Sequence, residues 1–346
     1  MQHIKTAENL QTLCLASLSS DRQGMTRDMM CALVDEIAGP PLSRLALIKH
    51  PSRNGVDGPL MVEYNIAAGT WRHCIWYTSV GGIVWVGPVK RGDTLIVADS
   101  NFYVIPTTEI MDCMYSIKQR LVMNGAKWEF KADSRSIFAP VGDDGVLCLR
   151  CCAFKSVDNN GFYGQLVNVF IDLTNKNMVL LNKIHVSGTA KCASLRDGRV
   201  LISGSRFQAD GDHYATECMI FDPVRKWIDK VAPMNVLRWD HASCTLPNGR
   251  VFVCGGYTSK SMNQRSFLTN TCEEYDPDSG KWTLVGEMMW ARCLHSCALL
   301  PDGRVMIIGG TDIGQCEFYD PVIGRSATAP TFARPMNHFS VMPIYE

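Results

Sequence analysis

No stretch of the 346-residue chain stays apolar over the roughly 20 residues that a membrane-crossing helix requires. Net charge is missing as well. Lys plus Arg number 34 and Asp plus Glu number 34, so the broad positive field of a nucleic-acid or anionic-membrane binder is not expected. The amino terminus, MQHIKTAENLQTLCLASLSS, carries Glu8 and has no sustained apolar core, so it does not read as a secretory signal. The expected location is intracellular, cytoplasmic or nuclear. Catalytic signatures are lacking too: there is no Walker loop, no H-E-x-x-H and no G-x-S-x-G. The glycine doublets end apolar runs with no helix following, which excludes them as phosphate cradles. No cofactor, no metal site and no catalytic residue is expected.

Cysteine, by contrast, is plentiful at 15 residues. Cys218, Cys272 and Cys316 each stand four residues before an aspartate (Asp222, Asp276, Asp320), and Cys192, Cys244 and Cys297 each fall in the segment before a turn. One per repeat on equivalent strands, they are expected to lie apart and to pack as small apolar residues. Cys148-x-x-Cys151-Cys152 has a zinc-like spacing but no second Cys/His pair at a suitable distance, so core packing is expected there also.

What is present is a repeat. Residues 288–321 read as three short strands around a turn at Pro301-Asp302-Gly303 and the doublet Gly309-Gly310. A second copy lies 54 residues earlier, with Gly249, Gly255-Gly256 and Tyr275-Asp276-Pro277. A unit this small cannot bury both faces of its own sheet and needs neighbours.

Two markers extend the repeat. Turn glycines occur at Gly92, Gly145, Gly198, Gly249 and Gly303, spaced by 53, 53, 51 and 54, with Gly39 a further 53 before the first. An outer-strand position follows Asn65, Asp172, Asp222, Asp276 and Asp320, at Trp71, Met178, Trp227, Trp282 and Ser326, and Trp128, preceded by Gly-Ala-Lys, makes the sixth. Four strands in about 50 residues, repeated, mark the blades of a propeller. The expected fold is all-β: a six-bladed β-propeller of four-stranded antiparallel blades over residues 39–346. Its units, numbered in chain order, are 39–71 plus 335–346, 73–128, 135–180, 185–229, 234–284 and 288–328. The carboxy-terminal strand supplies the strand missing from unit 1 and closes the ring, removing exposed edges. Residues 1–38 form an extension in which Met25–Ala38 has helical apolar spacing and ends at Gly39-Pro40-Pro41.

With those residues placed, the chain resembles the Kelch-repeat proteins, within the galactose-oxidase-like propeller superfamily. Gly255-Gly256 and Gly309-Gly310 match the doublet, and Gly204-Ser205 nearly does. Glu274-Tyr275-Asp276-Pro277, Phe318-Tyr319-Asp320-Pro321 and Ile220-Phe221-Asp222-Pro223 match the third-strand ending, and Trp227 and Trp282 the fourth strand. Cys151-Cys152 and Asp99-Ser100 depart from the pattern where doublet glycines belong.

The resemblance implies a non-catalytic protein-interaction module that docks another protein or peptide on its loop face. Matching positions are Arg238, Trp239, Trp290, Arg292 and Arg334 before the first strands, and Arg206, Tyr257 and Arg265 after the second. Arg and aromatic residues are what interfaces concentrate. Because Arg238 and Arg292 recur three residues before His241 and His295, a structural hydrogen bond in each unit is the competing expectation. Two further readings stand beside this one. The helical segment followed by PPLSRLAL resembles a degenerate F-box, which implies a substrate receptor of a ubiquitin ligase that binds a cullin-ligase adaptor. The LPDGRV…GG wording resembles copper-radical oxidases, but His3, His50, His73, His185 and His213 share no ligand-like spacing.

Overall fold

The computed structural model describes residues 42–49, 60–75, 77–78, 83–90, 93–98, 101–106, 114–115, 129–131, 136–142, 145–156, 162–175, 177–182, 186, 188–204, 217–259, 265–310, 314–331 and 339–345. The Met25–Ala38 segment with its helical spacing, Trp128, Arg206 and Arg334 lie outside them, and of the F-box-like stretch only Leu42–Leu47 is described, as part of a strand. Every regular element among the described residues is a β-strand. None of these residues belongs to a helix long and apolar enough to cross a membrane.

Unit 1 is an antiparallel sheet in the order Phe339–Tyr345, Leu42–Lys49, Leu60–Asn65, Thr70–Ile75. The last strand of the chain therefore pairs with the first. Unit 2 contributes Ile83–Lys90, Asp93–Ala98 and Asn101–Pro106. Unit 3 has Ile137–Val141, Gly145–Ser156, Phe162–Asp172 and Asn177–Leu180, and unit 4 has Lys191–Ser194, Val200–Ser203, Cys218–Asp222 and Trp227–Val231. Unit 5 (Ala242–Thr245, Val251–Cys254, Thr271–Asp276, Lys281–Glu287) and unit 6 (Ser296–Leu299, Val305–Ile308, Cys316–Asp320, Arg325–Ala329) share one eight-stranded sheet through a single parallel bridge, Glu287 to Arg325. The inner strands are neighbours in cyclic order. Phe339–Tyr345 lies against Ile83–Lys90, then come Ile137–Val141, Lys191–Ser194, Ala242–Thr245 and Ser296–Leu299, which returns to Phe339–Tyr345.

The strands follow from burial pattern. Second strands such as Val251–Cys254 and Val305–Ile308 are continuous apolar runs, buried at every position because neighbouring units cover both faces. Outer strands alternate instead, as in Trp227–Val231, where Ile228 is buried and Trp227 is exposed. The apolar core is correspondingly shared between units. Leu45, Leu47, Val62 and Tyr64 of unit 1 pack with Met306, Ile308 and Cys316 of unit 6, and Phe252, Cys254 and Cys272 of unit 5 pack with Val305, Ile307 and Tyr319 of unit 6.

The aspartate at each third-strand end has a local job. Oδ1 of Asp222, Asp276 and Asp320 accepts the backbone N–H two residues on at 2.8, 3.0 and 2.8 Å, closing the turn. Register can be counted from this aspartate. Tyr64 pairs with Trp71 and Tyr275 with Trp282, whereas Trp227 pairs with Asp222 itself. Trp227 is therefore one residue out of the register expected for it. Because strand side chains alternate, it faces solvent at 46% exposure, and Ile228 at 1% takes the inward place.

Gly145 also departs from expectation. The left-handed turn glycine of unit 3 is Gly142 (φ 58), while Gly145 begins the second strand, paired with Val141 and Asp172. A Cβ there would meet Val141 O and the Phe170 ring at 2.7 Å. By pairing, Gly145 matches Arg199, Arg250 and Arg304 and not the turn glycines, so Arg150 (φ 56), with Cys151 next, stands at the position of Gly204, Gly255 and Gly309. Among the described residues the sheet of unit 2 has three strands. Glu129–Lys131 pairs with Cys152–Phe154 in the 12-residue second strand of unit 3, which outruns its inner partner and leaves an edge to satisfy.

Seams between units use the inward fourth-strand position. Trp282 Nε1 donates to Ala232 O of unit 4 at 2.9 Å, and Trp71 Nε1 donates to Pro330 O, just past the outer strand of unit 6, at 2.8 Å. Ile228 N donates to Asn182 Oδ1 at 2.9 Å, joining units 4 and 3. In unit 6 the position is Ser326, and Tyr319 Oη makes the joint instead, donating to Val285 O at 3.0 Å.

Candidate functional site

The loops before first strands and after second strands lie at the same end of the units, since successive strands reverse direction. Within them each Arg-x-x-His segment folds inward. Arg238 is fully buried: Nη1 donates to Gly255 O and Thr271 O at 2.9 Å, and Nη2 to Thr271 Oγ1 at 3.0 Å and Glu273 Oε1 at 2.8 Å. Arg292 repeats the arrangement with Gly309 O, Gln315 O and Glu317 Oε1, each at 2.7 Å. The far carboxylate oxygens accept backbone N–H groups of Asn235 and Met289 at 2.8 and 2.7 Å, which pins the loop that carries each arginine. Burial makes these pairs costly to break, because the remaining partner would be an isolated charge away from water.

The histidines complete the segment. His241 Nε2 lies 2.9 Å from Ser203 Oγ, and His295 Nε2 lies 3.5 Å from Cys254 Sγ, each joining its unit to the preceding one. Burial, then the neighbouring Arg238 or Arg292, then Lys191, holds both imidazoles well below the usual histidine range. The doublet glycines exist to admit this segment. A Cβ on Gly204 would sit 2.5 Å from His241 Cε1, and one on Gly255 would sit 2.7 Å from Arg292 O and His295 Cε1. Asp240 N donates to Thr189 O at 3.3 Å and Leu294 N to Asp240 O at 2.9 Å, so consecutive segments form a backbone belt.

Residues 238–289, spanning one whole segment and the sheet it enters, match the model of the Kelch motif. The chain carries a Kelch motif over those residues. It is similar to Kelch-like protein 25 of Rattus norvegicus, 29% identical over 118 residues that make up 33% of this chain and 19% of that protein. It is also similar to Kelch-like protein 23 of Homo sapiens, 34% identical over 87 residues, 25% of this chain and 14% of the relative. The match thus spans about a fifth or less of those relatives' length. A Kelch motif implies a propeller type of fold, with which the antiparallel four-stranded sheets agree.

Among these loops the proposed contact residues separate. Arg238, Arg292 and Trp239 are buried, the last at 4% exposure, so none of them offers its side chain to a partner. For the two arginines the competing expectation, a structural bond in each unit, describes the geometry. Trp239 exchanges backbone bonds with Tyr257 at 3.1 and 2.8 Å and stacks on its ring at 5.9 Å. Tyr257 and Trp290 are partly exposed, Arg265 is exposed, and the Arg292 guanidinium backs the Trp290 ring at 5.7 Å. Two neighbours were not singled out from sequence: Met289, 47% exposed, and Phe267, 46% exposed. Asn270 ties their loops together, its O accepting Met288 N at 2.7 Å and its Nδ2 donating to Met288 O at 3.1 Å. A signal for Met289 existed: Asn235 holds the same place in unit 5.

The structure also corrects the cysteine expectation. The Cys297 thiol lies within hydrogen-bonding reach of Cys244 and Cys254. Cys192 and Cys297 pair with Ile202 and Ile307 at matching registers, but Cys244 pairs with Phe252, one position further along. That offset turns Cys244 to the opposite face of its strand, toward Cys297. Cys192, Cys218 and Cys316 lie apart from one another, as expected; burial pushes Cys192 and Cys218 up to about 12 and Cys316 up to about 11.

Proposed function

We propose that this chain is a non-catalytic protein-interaction module, a six-bladed Kelch propeller over residues 39–346 that grips a protein or peptide on its loop face. One observation carries the reading: the repeated Arg and His groups are buried as structure, while the same loops expose Met289, Trp290, Phe267 and Arg265 at unit 6's entrance. Aromatic and methionine side chains on a rim with an arginine have interface chemistry. The cyclic order of inner strands supports six blades, and the Trp71–Pro330 bond supports a ring, because it repeats between units 1 and 6 the Trp282–Ala232 joint of consecutive units.

Affinity capture with wild type, Met289→Ser/Trp290→Ala, and the opposite-face control Val322→Ser/Ile323→Ser tests the face. The first double variant is expected to lose proteins that the control retains, with both melting like wild type. Equal capture by all three overturns the assignment. A ubiquitin-ligase receptor role through the amino-terminal segment is the narrower reading. Recovery of cullin-adaptor proteins by the full chain, and their loss when residues 1–38 are removed, is its expected result. Their absence from both captures overturns it.

A further inference from the structure

The three thiols at the seam of units 5 and 6 are not equivalent. Cys254 ends the second strand of unit 5 and is fully buried, with the imidazole Nε2 of His295 3.5 Å from its sulfur. Cys297, on the inner strand of unit 6, and Cys244, on the inner strand of unit 5, are partly exposed. These inner strands lie side by side, and Cys297 is the member that reaches both of the others. Cys272 stands opposite Cys254 on the adjoining strand, but its thiol is directed to Asn270 O at 3.8 Å.

Only Cys254 therefore combines contact with Cys297 and a base on its own sulfur. We propose that Cys254 and Cys297 form an oxidative modification site, in which a peroxide converts the two thiols to a disulfide that joins unit 5 covalently to unit 6. The steps balance. Cys297, the partly exposed residue of the pair, attacks one peroxide oxygen through its sulfur, giving a sulfenic acid and water. Cys254 sulfur then attacks Cys297 sulfur. The Cys254 proton is relayed past His295 Nε2 to the departing hydroxide in the same step, with no imidazolium formed, so a second water leaves as the S–S bond forms. One peroxide is reduced and two thiols are oxidised. Hydrogen bonding with the Cys244 and Cys254 thiols, and then burial, keeps the Cys297 thiol protonated at neutral pH, so the first step is slower than oxidation of an exposed low-pKa cysteine. The neighbouring seam does not offer this pairing. At the seam of units 4 and 5, Ser203 stands in the place of Cys254, against His241.

The test treats the folded full chain with hydrogen peroxide, alkylates the remaining thiols and maps disulfides by mass spectrometry. A Cys254–Cys297 cross-linked peptide is expected, with a melting temperature that rises on oxidation and returns on reduction. Cys297→Ser should melt like the reduced wild type and lose the cross-link, while Cys244→Ser should keep it. Recovery of both Cys254 and Cys297 as alkylated thiols, when exposed cysteines are oxidised, overturns the proposal. So does a Cys244–Cys297 linkage in their stead, since it would leave His295 without a part.

Discussion

The seams on either side of unit 5 occupy the same backbone positions and are closed in different ways. Against unit 4 the indole of Trp282 fills the gap and donates its N–H to Ala232 O. Against unit 6 the corresponding residue is Ser326, and the outer strands approach directly: Gly286 lies so close to Gly324 that a Cβ would fall 2.2 Å from its carbonyl oxygen, and Glu287 bridges Arg325. A large aromatic side chain acts as a spacer that keeps two sheets distinct, and its replacement by serine lets two sheets run together. The inner halves differ too, with Ser203 against His241 on one side and Cys254 against His295 on the other. What units 5 and 6 share is the buried arginine–glutamate pair inside each, and the largest effects are expected where they are alike.

Glu273→Ala and Glu317→Ala should each destabilise the protein by about 3–5 kcal/mol, since each strands a buried guanidinium. Chemical denaturation measures it, and a cost below about 1 kcal/mol at either site would show that its pair is dispensable. Trp282→Ala should follow at about 3 kcal/mol from lost packing and an orphaned carbonyl, and the same experiment on Ser326 has no indole to remove. Acid comes next. Both imidazoles are held below their ordinary 6.5, chiefly by burial, so below that pH the unfolded chain binds protons that the folded chain refuses. Their contribution is complete above pH 6.5 and declines as pH falls, so melting temperature should drop on acidification through pH 6. His241→Asn should flatten that decline, and an unchanged slope would sink the assignment. The smallest effect sharpens the contrast of tryptophans: Trp227→Ser should change stability by no more than about 0.5 kcal/mol, because that ring is already in water.

The architecture was legible where sequence marks a local constraint. Asp-Pro turns, apolar second strands and the missing strand of unit 1 all follow from short-range chemistry, and the terminal strand pairs where the incomplete unit 1 needs it. Faces were harder to read, because one residue inverts a strand. Trp227 and Cys244 each stand one place from their apparent equivalents, and counting from Asp222 or from His241 would have exposed both offsets. Arg238 and Arg292 looked like surface ligands for a different reason. Their partners, Glu273 and Glu317, lie on third strands 35 and 25 residues later, a separation no local pattern encodes. The exposed pair Met289 and Phe267 was missed because apolar residues in a repeat are read first as core.

The pairing of Leu42–Lys49 with Phe339–Tyr345 also sets a schedule for biosynthesis. Synthesis proceeds at about 5–20 residues per second, so the first strand waits on the order of tens of seconds for its partner to be made. During that interval Leu45 and Leu47, fully covered in the finished molecule, belong to a strand with an open edge and no last unit to pack against. Such an edge invites pairing with other nascent chains. A chain that stops before Phe339 would remain in that condition, which makes premature termination a route to aggregation rather than to a smaller working protein.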